Sequence, residues 1–147
     1  MVCLDTNILA YAEGVNDAGR QAQAKALVSA LPDQHIVLPA QVLGELLRIL
    51  IRKGGRSSGQ AREAVLSWAD AMTTRDSTTA AMMGAMDLVV EHKFSIWDAL
   101  VLSVAADAGC RLLLSEDLHE GFTWRGVTIV NPFAPVQHPL LKALMAT

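Results

Sequence analysis

Short apolar segments alternate with longer helical segments along the 147-residue chain, and this alternation is the strongest constraint on its fold. Helical stretches, most of them of about ten or more residues, separate the apolar segments. This order is typical of a mostly parallel sheet that is covered by helices on both faces. The predicted strands are Met1–Leu4, His35–Leu38, a brief strand at Arg75–Thr79, Leu112–Leu114 and Val127–Val130. The sequence therefore predicts an α/β protein with about five strands.

The composition predicts one folded unit. Hydrophobic residues make up 52% of the chain and charged residues 18%, which is enough for a buried core and excludes a disordered chain. We expect residues 1–147 to form a single domain, with 135–147 as a tail or an amphipathic helix. No apolar run approaches the roughly 18 residues of a membrane helix. Because no secretory signal is visible at Met1, we predict a cytoplasmic protein in which Cys3 and Cys110 are free core thiols.

The basic residues are unevenly distributed. The net charge is −3, which by itself argues mildly against a nucleic-acid partner. Between Leu46 and Arg62, however, no acidic residue occurs, while five of the 12 basic residues fall there. We predict that four of them contact phosphates, namely Arg48, Arg52, Lys53 and Arg56. A solvated helix face is the alternative interpretation.

Four acidic residues stand where the predicted topology can bring them together. Asp5 follows the first strand and Asp117 follows the strand Leu112–Leu114. The carboxyl ends of parallel strands share one edge of a sheet, and ligands bind there. Asp98 begins a helix that leads towards the second of these strands, and Glu45 lies on a helix with apolar neighbours. We expect Glu45 and Asp98 to face apolar surroundings, where an unpaired charge is costly.

Clustered carboxylates need a counter-charge. At an effective dielectric near 20, two like charges about 5 Å apart repel by roughly 3 kcal/mol. A hard cation with oxygen ligands, Mg²⁺ or Mn²⁺, would remove this repulsion. Each acid also has an ordinary interpretation. Asp5 can cap a helix, Asp98 can form a capping box with Ser95, Glu45 can pair with Arg48 or Arg52, and Glu116–Asp117 can be turn residues.

Several motifs together resemble the PIN-domain family, specifically the VapC-type toxin ribonucleases of type II toxin–antitoxin systems. The resemblance covers nearly the whole chain. The matching segments are Leu4-Asp5-Thr6-Asn7-Ile8-Leu9, Val42-Leu43-Gly44-Glu45-Leu46, Ile96-Trp97-Asp98-Ala99-Leu100-Val101, Leu113-Leu114-Ser115-Glu116-Asp117-Leu118 and Val130-Asn131-Pro132-Phe133.

The resemblance implies a metal site, a reaction and partners. The metal ligands would be Asp5, Glu45, Asp98 and Asp117. Hydrogen bonds from Asn7 and Ser115 would order these acids, and Glu116 would approach the site. The implied fold is a three-layer α/β/α sandwich. The implied activity is hydrolysis of RNA to 5′-phosphate and 3′-hydroxyl ends, and the implied partners are a small VapB-like antitoxin and a second copy of the chain.

Two other functions compete with this interpretation. Haloacid-dehalogenase-like phosphatases also begin with a strand that ends in an aspartate, but they need a second aspartate two residues later, where this chain has Asn7. They also need a downstream lysine, and Lys93 is poorly placed for that role. The other alternative is a PIN scaffold that binds RNA or protein without catalysis. Loss of the acidic residues would indicate such a module, and none of the four is lost.

Overall fold

The computed structural model describes residues 1–146 and has one six-stranded sheet at its centre. The strands lie in the order β3-β2-β1-β4-β6-β5, and only β5 runs antiparallel to its neighbour. Their bounds are Val2–Leu4 for β1, Ile36–Pro39 for β2, Thr73–Arg75 for β3, Leu112–Leu114 for β4, Thr123–Trp124 for β5 and Val127–Val130 for β6. The predicted mostly parallel α/β architecture is confirmed, with six strands instead of about five.

The helices form two packed groups beside the sheet. In one group α1 packs on α2 and α3, and α3 packs on α4; in the other, α5 packs along α6. Their bounds are Thr6–Ala12 for α1, Ala18–Ala30 for α2, Ala40–Arg52 for α3, Ser58–Ala71 for α4, Thr79–His92 for α5, Ile96–Asp107 for α6 and Pro139–Met145 for α7. A short 3₁₀ turn, Asp33–His35, leads into β2.

Side-chain caps set the starts of several helices. Asp17 accepts a hydrogen bond from the backbone N–H of Arg20 at the start of α2, and Ser57 forms a capping box with Gln60 at the start of α4. Each such cap satisfies backbone donors that the first turn leaves unpaired. The caps therefore explain why these helices begin where they do.

The central strand β1 determines where the acids meet. Cys3 pairs in register with Leu113, and Leu4 with Leu114. The backbone N–H of Asp5 then donates to the carbonyl of Leu114 over 3.0 Å. Asp5 and the loop that begins at Ser115 consequently leave the sheet side by side, as the rule for parallel strands predicts.

Two strands differ from the sequence prediction. The third strand spans Thr73–Arg75, not Arg75–Thr79, because the side chain of Thr78 caps α5 by accepting from the N–H of Ala81. β5 was not predicted. It joins β6 through Arg125 and Gly126, both with positive φ, which is the backbone pattern of a tight hairpin turn.

Other expectations hold. Within the predicted tail segment 135–147, the described residues contain a helix, α7, at Pro139–Met145, and Thr147 lies outside the described residues. Cys3 and Cys110 are buried and free, as predicted. Burial raises the pKa of both thiols, so both stay protonated near neutral pH.

Among residues 1–146, no helix is both long enough and apolar enough to cross a membrane.

Candidate metal centre at the carboxyl end of the sheet

Asp5 is the buried acid of the candidate site. It follows β1 directly and is only 8% exposed. Its Oδ1 accepts a hydrogen bond from the N–H of Thr6 over 2.8 Å, so it does cap α1, the alternative that the sequence left open. Its Oδ2 accepts from the hydroxyl of Ser115 over 2.7 Å. Asp5 can therefore cap α1 through Oδ1 and contact the loop after β4 through Oδ2 at the same time.

Ser115 and Asn7 connect Asp5 with the loop after β4. The N–H of Asp117 donates to the hydroxyl of Ser115 over 3.2 Å, and Nδ2 of Asn7 donates to Oδ2 of Asp117 over 3.1 Å. The side-chain oxygen of Asn7 accepts the N–H of Glu116 over 3.3 Å. Asn7 and Ser115 thus lie where the resemblance implies an ordering role, and Ser115 links the exposed Asp117 to Asp5.

Glu45 reaches the same region from α3. Its Oε2 accepts from the hydroxyl of Thr6 over 2.8 Å, and its Oε1 accepts from Nε2 of Gln41 over 2.9 Å. Glu45 is half-buried and does not pair with Arg48 or Arg52. The predicted alternative, a surface ion pair on α3, is therefore wrong.

Asp98 stands at the start of α6. Its N–H donates to the hydroxyl of Ser95 over 3.2 Å, but within the described residues its carboxylate completes no capping box with Ser95. Gln41 ties this helix start to α3, because its Nε2 also donates to the carbonyl of Trp97 over 3.1 Å. The prediction that Asp98 faces apolar surroundings is wrong: its side chain is exposed at the rim of the sheet.

The charges of these acids act on one another. The pKa of Asp5 is raised from 3.8 to about 6, and burial is the largest cause. Hydrogen bonds from Ser115 and Thr6 oppose this rise, and the nearby charges of Asp98 and Glu45 add to it. No member of the set Asp5, Glu45, Asp98 and Asp117 forms an ion pair within residues 1–146. Asp5 thus lies near two further carboxylates, and no cation of the described chain pairs with any of them.

The donor set fits a hard divalent cation, but it is not drawn tightly together. Over residues 1–146, no group of three or more His, Cys, Asp or Glu side chains is close enough to count as a preformed metal site. Asp98 is exposed and its carboxylate has no hydrogen-bond partner within residues 1–146, so it has room to move towards Asp5, whereas Asn7 holds the carboxylate of Asp117. Oxygen-only ligands of this kind suit Mg²⁺ or Mn²⁺, which bind few protein groups and keep several waters.

Glu116 has other partners. Its Oε1 accepts from the hydroxyl of Tyr11 over 2.8 Å, and its Oε2 lies 2.9 Å from Nε of Arg20. The guanidinium of Arg20 also lies over the ring of Phe133, 4.7 Å from its centre. Glu116 therefore anchors to α1 and α2 the loop that also contains Asp117. Its carboxylate is bound by Tyr11 and Arg20, so its link to the site is through this loop.

The predicted basic residues divide into two groups. Arg48 and Arg52 on α3 and Lys53 directly after it are exposed and form no ion pair within residues 1–146. They line a cavity of about 300 Å³ together with Glu45 and Ile49. Arg56 differs, because its guanidinium binds a carboxylate oxygen of Glu13 over 2.6 Å and the backbone carbonyl of Glu13 over 2.8 Å. Arg56 therefore fastens the chain after α3 to the end of α1.

The sequence did not reveal Thr6 and Gln41, which join Asp5, Glu45 and the start of α6. Both are neutral residues, and the bond between Gln41 and Trp97 spans 56 positions of the chain. The only local signal was that Gln41 precedes Glu45 by four positions and so shares its helix face.

Comparisons with known proteins agree with this fold. The PIN domain profile matches residues 2–119. VapC20 of Mycobacterium tuberculosis, described as a toxin that cleaves the sarcin–ricin loop, is 23% identical, with a TM-score of 0.65 over 77% of this chain and 87% of that one. A toxin–antitoxin complex from Klebsiella pneumoniae is 19% identical, has a TM-score of 0.69, and the match covers 90% of this chain and 98% of that one. FitAcB of Neisseria gonorrhoeae is 16% identical, has a TM-score of 0.63, and the match covers 90% of this chain and 99% of that one. Among curated proteins, none matches the chain significantly.

Proposed function

Because the chain belongs to the PIN domain family, we propose that it is a Mg²⁺- or Mn²⁺-dependent endoribonuclease, the toxin of a VapBC-type toxin–antitoxin pair. One observation carries the proposal: Thr6, Ser115 and Asn7 link the carboxylates of Asp5, Glu45 and Asp117 by hydrogen bonds, Asp98 lies near enough for its charge to act on Asp5, and none of the four has a cationic partner within residues 1–146. The similarity to VapC20, described as a toxin that cleaves the sarcin–ricin loop, supports RNA as the substrate.

The metal ligands in this proposal are Asp5, Glu45, Asp98 and Asp117. These residues would hold a divalent ion, which would lower the pKa of a bound water and stabilise negative charge on a phosphate. The chain itself contributes orientation: Ser115 and Thr6 fix the two oxygens of Asp5, and Thr6 with Gln41 fixes those of Glu45. No histidine or lysine is needed as a general base in such a site.

Cleavage of total cellular RNA tests the proposed activity. With Mg²⁺ or Mn²⁺, we expect discrete fragments with 5′-phosphate and 3′-hydroxyl ends; with EDTA, we expect none. Gel analysis and end labelling measure both. Full activity in EDTA would contradict metal dependence. RNA binding without cleavage in either metal would instead favour the non-catalytic PIN scaffold.

We further propose that Arg48, Arg52 and Lys53 bind the phosphates of the RNA. They are exposed beside Glu45, around the 300 Å³ cavity, and no acid of the described chain neutralises them. Without the four proposed ligands, the chain carries 12 positive and 11 negative charges, because four of its 15 acids are set aside. A bound cation therefore leaves this rim attractive to RNA. We leave Arg56 out of this surface, because Glu13 occupies its guanidinium.

Reversing one of these charges should weaken RNA recognition. We expect Arg52→Glu to lower kcat/KM on a short single-stranded RNA. Each lost phosphate contact should flatten the slope of log kcat/KM against log salt by about 0.7. The matched control is Arg62→Glu, an equal charge change at an exposed position of α4. Equal salt slopes in both variants would remove Arg52 from the RNA surface.

We propose a small VapB-like antitoxin as the protein partner. The structural neighbours include a toxin–antitoxin complex. An antitoxin that covers the site and places a basic side chain among the acids would neutralise their charge. A short upstream reading frame whose product binds this chain and stops its cleavage of RNA is the expected finding, and a product that leaves cleavage unchanged would argue against it.

A homodimer and a cytoplasmic location are also part of the proposal. Met83, Met86 and Val90 are exposed on one face of α5, in keeping with a contact between two copies. The molar mass in solution tests the homodimer, because the single chain has a mass of 15.8 kDa. Fractionation of cells that express the chain tests the location.

A further inference from the structure

A second cavity reaches the candidate site at Asp117 and shares Ile49 and Lys53 with the cavity beside Glu45. Its volume is about 240 Å³, and Asn7 and Asp117 form one end of it. Tyr11, Asn16 and Lys53 are among the residues that form its other walls. Lys53 borders this cavity and the 300 Å³ cavity beside Glu45, so the two cavities flank the same lysine.

Asn16 is one of the residues that line this cavity. Its side chain is exposed and has no hydrogen-bond partner within residues 1–146. Its φ is +71°, and the N–H of Asp17 donates to the carbonyl of Val15 across it over 3.0 Å. Three-residue turns with positive φ are rare and strained, although Asn tolerates this region better than most residues.

The loop around Asn16 is held in place. Val15 is buried, and its N–H donates to the carbonyl of Ala10 over 3.0 Å. Glu13 is fixed by Arg56 and also accepts from the indole N–H of Trp68 over 2.9 Å. The amide of Asn16 therefore extends from a fixed backbone rather than from a free loop.

The chemistry of the walls indicates the ligand. An asparagine amide offers a donor and an acceptor side by side, which matches the edge of a base such as adenine. A lysine ammonium is a compact positive charge suited to a phosphate. Pockets for drug-sized ligands measure about 300–1,000 Å³, so a cavity of 240 Å³ suits one base rather than a base pair. Sequence-specific proteins read unpaired RNA bases through hydrogen bonds to their edges.

We propose that this cavity is a subsite for one unpaired nucleotide next to the scissile phosphate, with its base hydrogen-bonded to Asn16 and its phosphate bound by Lys53. The proposal rests on the ribonuclease function given above and adds a residue that determines the sequence of the cut. It predicts that Asn16 affects which RNA is cleaved, and that Lys53 affects all RNAs equally.

The test uses an RNA pool with randomised single-stranded positions, from which the cleaved ends are sequenced. The wild-type chain should prefer one base at a position beside the cut. Asn16→Gly removes the amide, keeps the positive φ without strain, and should reduce this preference about 5- to 150-fold. Asn16→Asp replaces the donor with an acceptor and should change the preferred base. Preferences at other positions should stay the same, and thermal unfolding should show that both variants are folded.

Lys53→Ala should raise KM to a similar degree for all sequences. Lys25→Ala, at an exposed position of α2, is the matched control and should change neither KM nor the base preference. A base preference that is the same in the wild type, Asn16→Gly and Asn16→Asp would leave the ribonuclease function standing and overturn the subsite. Cleavage without any preference beside the cut would overturn it as well. Absence of cleavage by the wild type in Mg²⁺ and Mn²⁺ would overturn the ribonuclease function, and the subsite with it.

Discussion

Replacing Asp5 with asparagine is expected to lower the rate of RNA cleavage by more than about 100-fold. Changes to the hydrogen-bond partners of metal ligands already cost about 10- to 100-fold in metal affinity or activity, so removal of a ligand charge should cost more. Asp5 is the buried member of the set and accepts bonds from Thr6 and Ser115. Asparagine has nearly the same shape, so the loss would come from the missing charge. The measurement is kcat/KM on a defined RNA with saturating Mg²⁺.

Asp70→Asn is the matched control for this prediction. Asp70 is exposed on α4 and forms no ion pair within residues 1–146, so the substitution removes the same charge elsewhere. Its kcat/KM should equal that of the wild type. If Asp5→Asn retained more than about a tenth of the wild-type activity while remaining folded, Asp5 would not be a metal ligand.

The second large effect is on the stability of the metal-free protein. Burial raises the pKa of Asp5 from 3.8 to about 6, so the folded chain keeps a proton that the unfolded chain loses at lower pH. The contribution of this proton to stability is complete below about pH 4 and is lost as the pH rises to about 6. At 1.36 kcal/mol per pKa unit, the loss in free energy of unfolding is roughly 3 kcal/mol.

Denaturant unfolding in EDTA at a series of pH values measures this effect. Other acids also titrate, so the informative quantity is the difference in unfolding free energy between Asp5→Asn and the wild type. Between pH 2 and pH 8, this difference should shift by about 3 kcal/mol in favour of the variant. If the unfolding free energies of the two proteins changed with pH in parallel, Asp5 would have an ordinary pKa in the folded chain. That result would contradict its placement as a buried carboxylate beside other charges.

The fold was predictable where a short segment carried its own signal. The apolar runs that became β1, β2, β4 and β6 are buried along their whole length, and a continuous apolar run is typical of a strand covered on both faces. The parallel-sheet rule then predicted that Asp5 and Asp117 lie at the same edge, on the condition that their strands are neighbours, and the pairing of β1 with β4 meets that condition. β3 and β5 are short and largely exposed, so they had too few apolar residues to reveal a pattern.

Parts of the candidate site depended on tertiary packing that periodicity does not encode. The apolar neighbours of Asp98 on α6 suggested an inward carboxylate, but Asp98 lies on the exposed side of the first turn of that helix, while Ala99 occupies the buried side. Arg56 was one of five similar cations in the sequence, and only the folded chain shows that Glu13 binds it. The metal ligands, the RNA surface and the nucleotide subsite stay predictions that need functional measurements.

Calorimetric titration of the metal-free chain with Mn²⁺ at pH 7.5 tests the central claim most directly. The claim predicts that the wild type and Asp70→Asn bind one or two equivalents with the same affinity. Asp5→Asn should bind at least about 100-fold more weakly, since it lacks the buried ligand. Equal Mn²⁺ affinity in Asp5→Asn and the wild type, or no Mn²⁺ binding by the wild type, would contradict it.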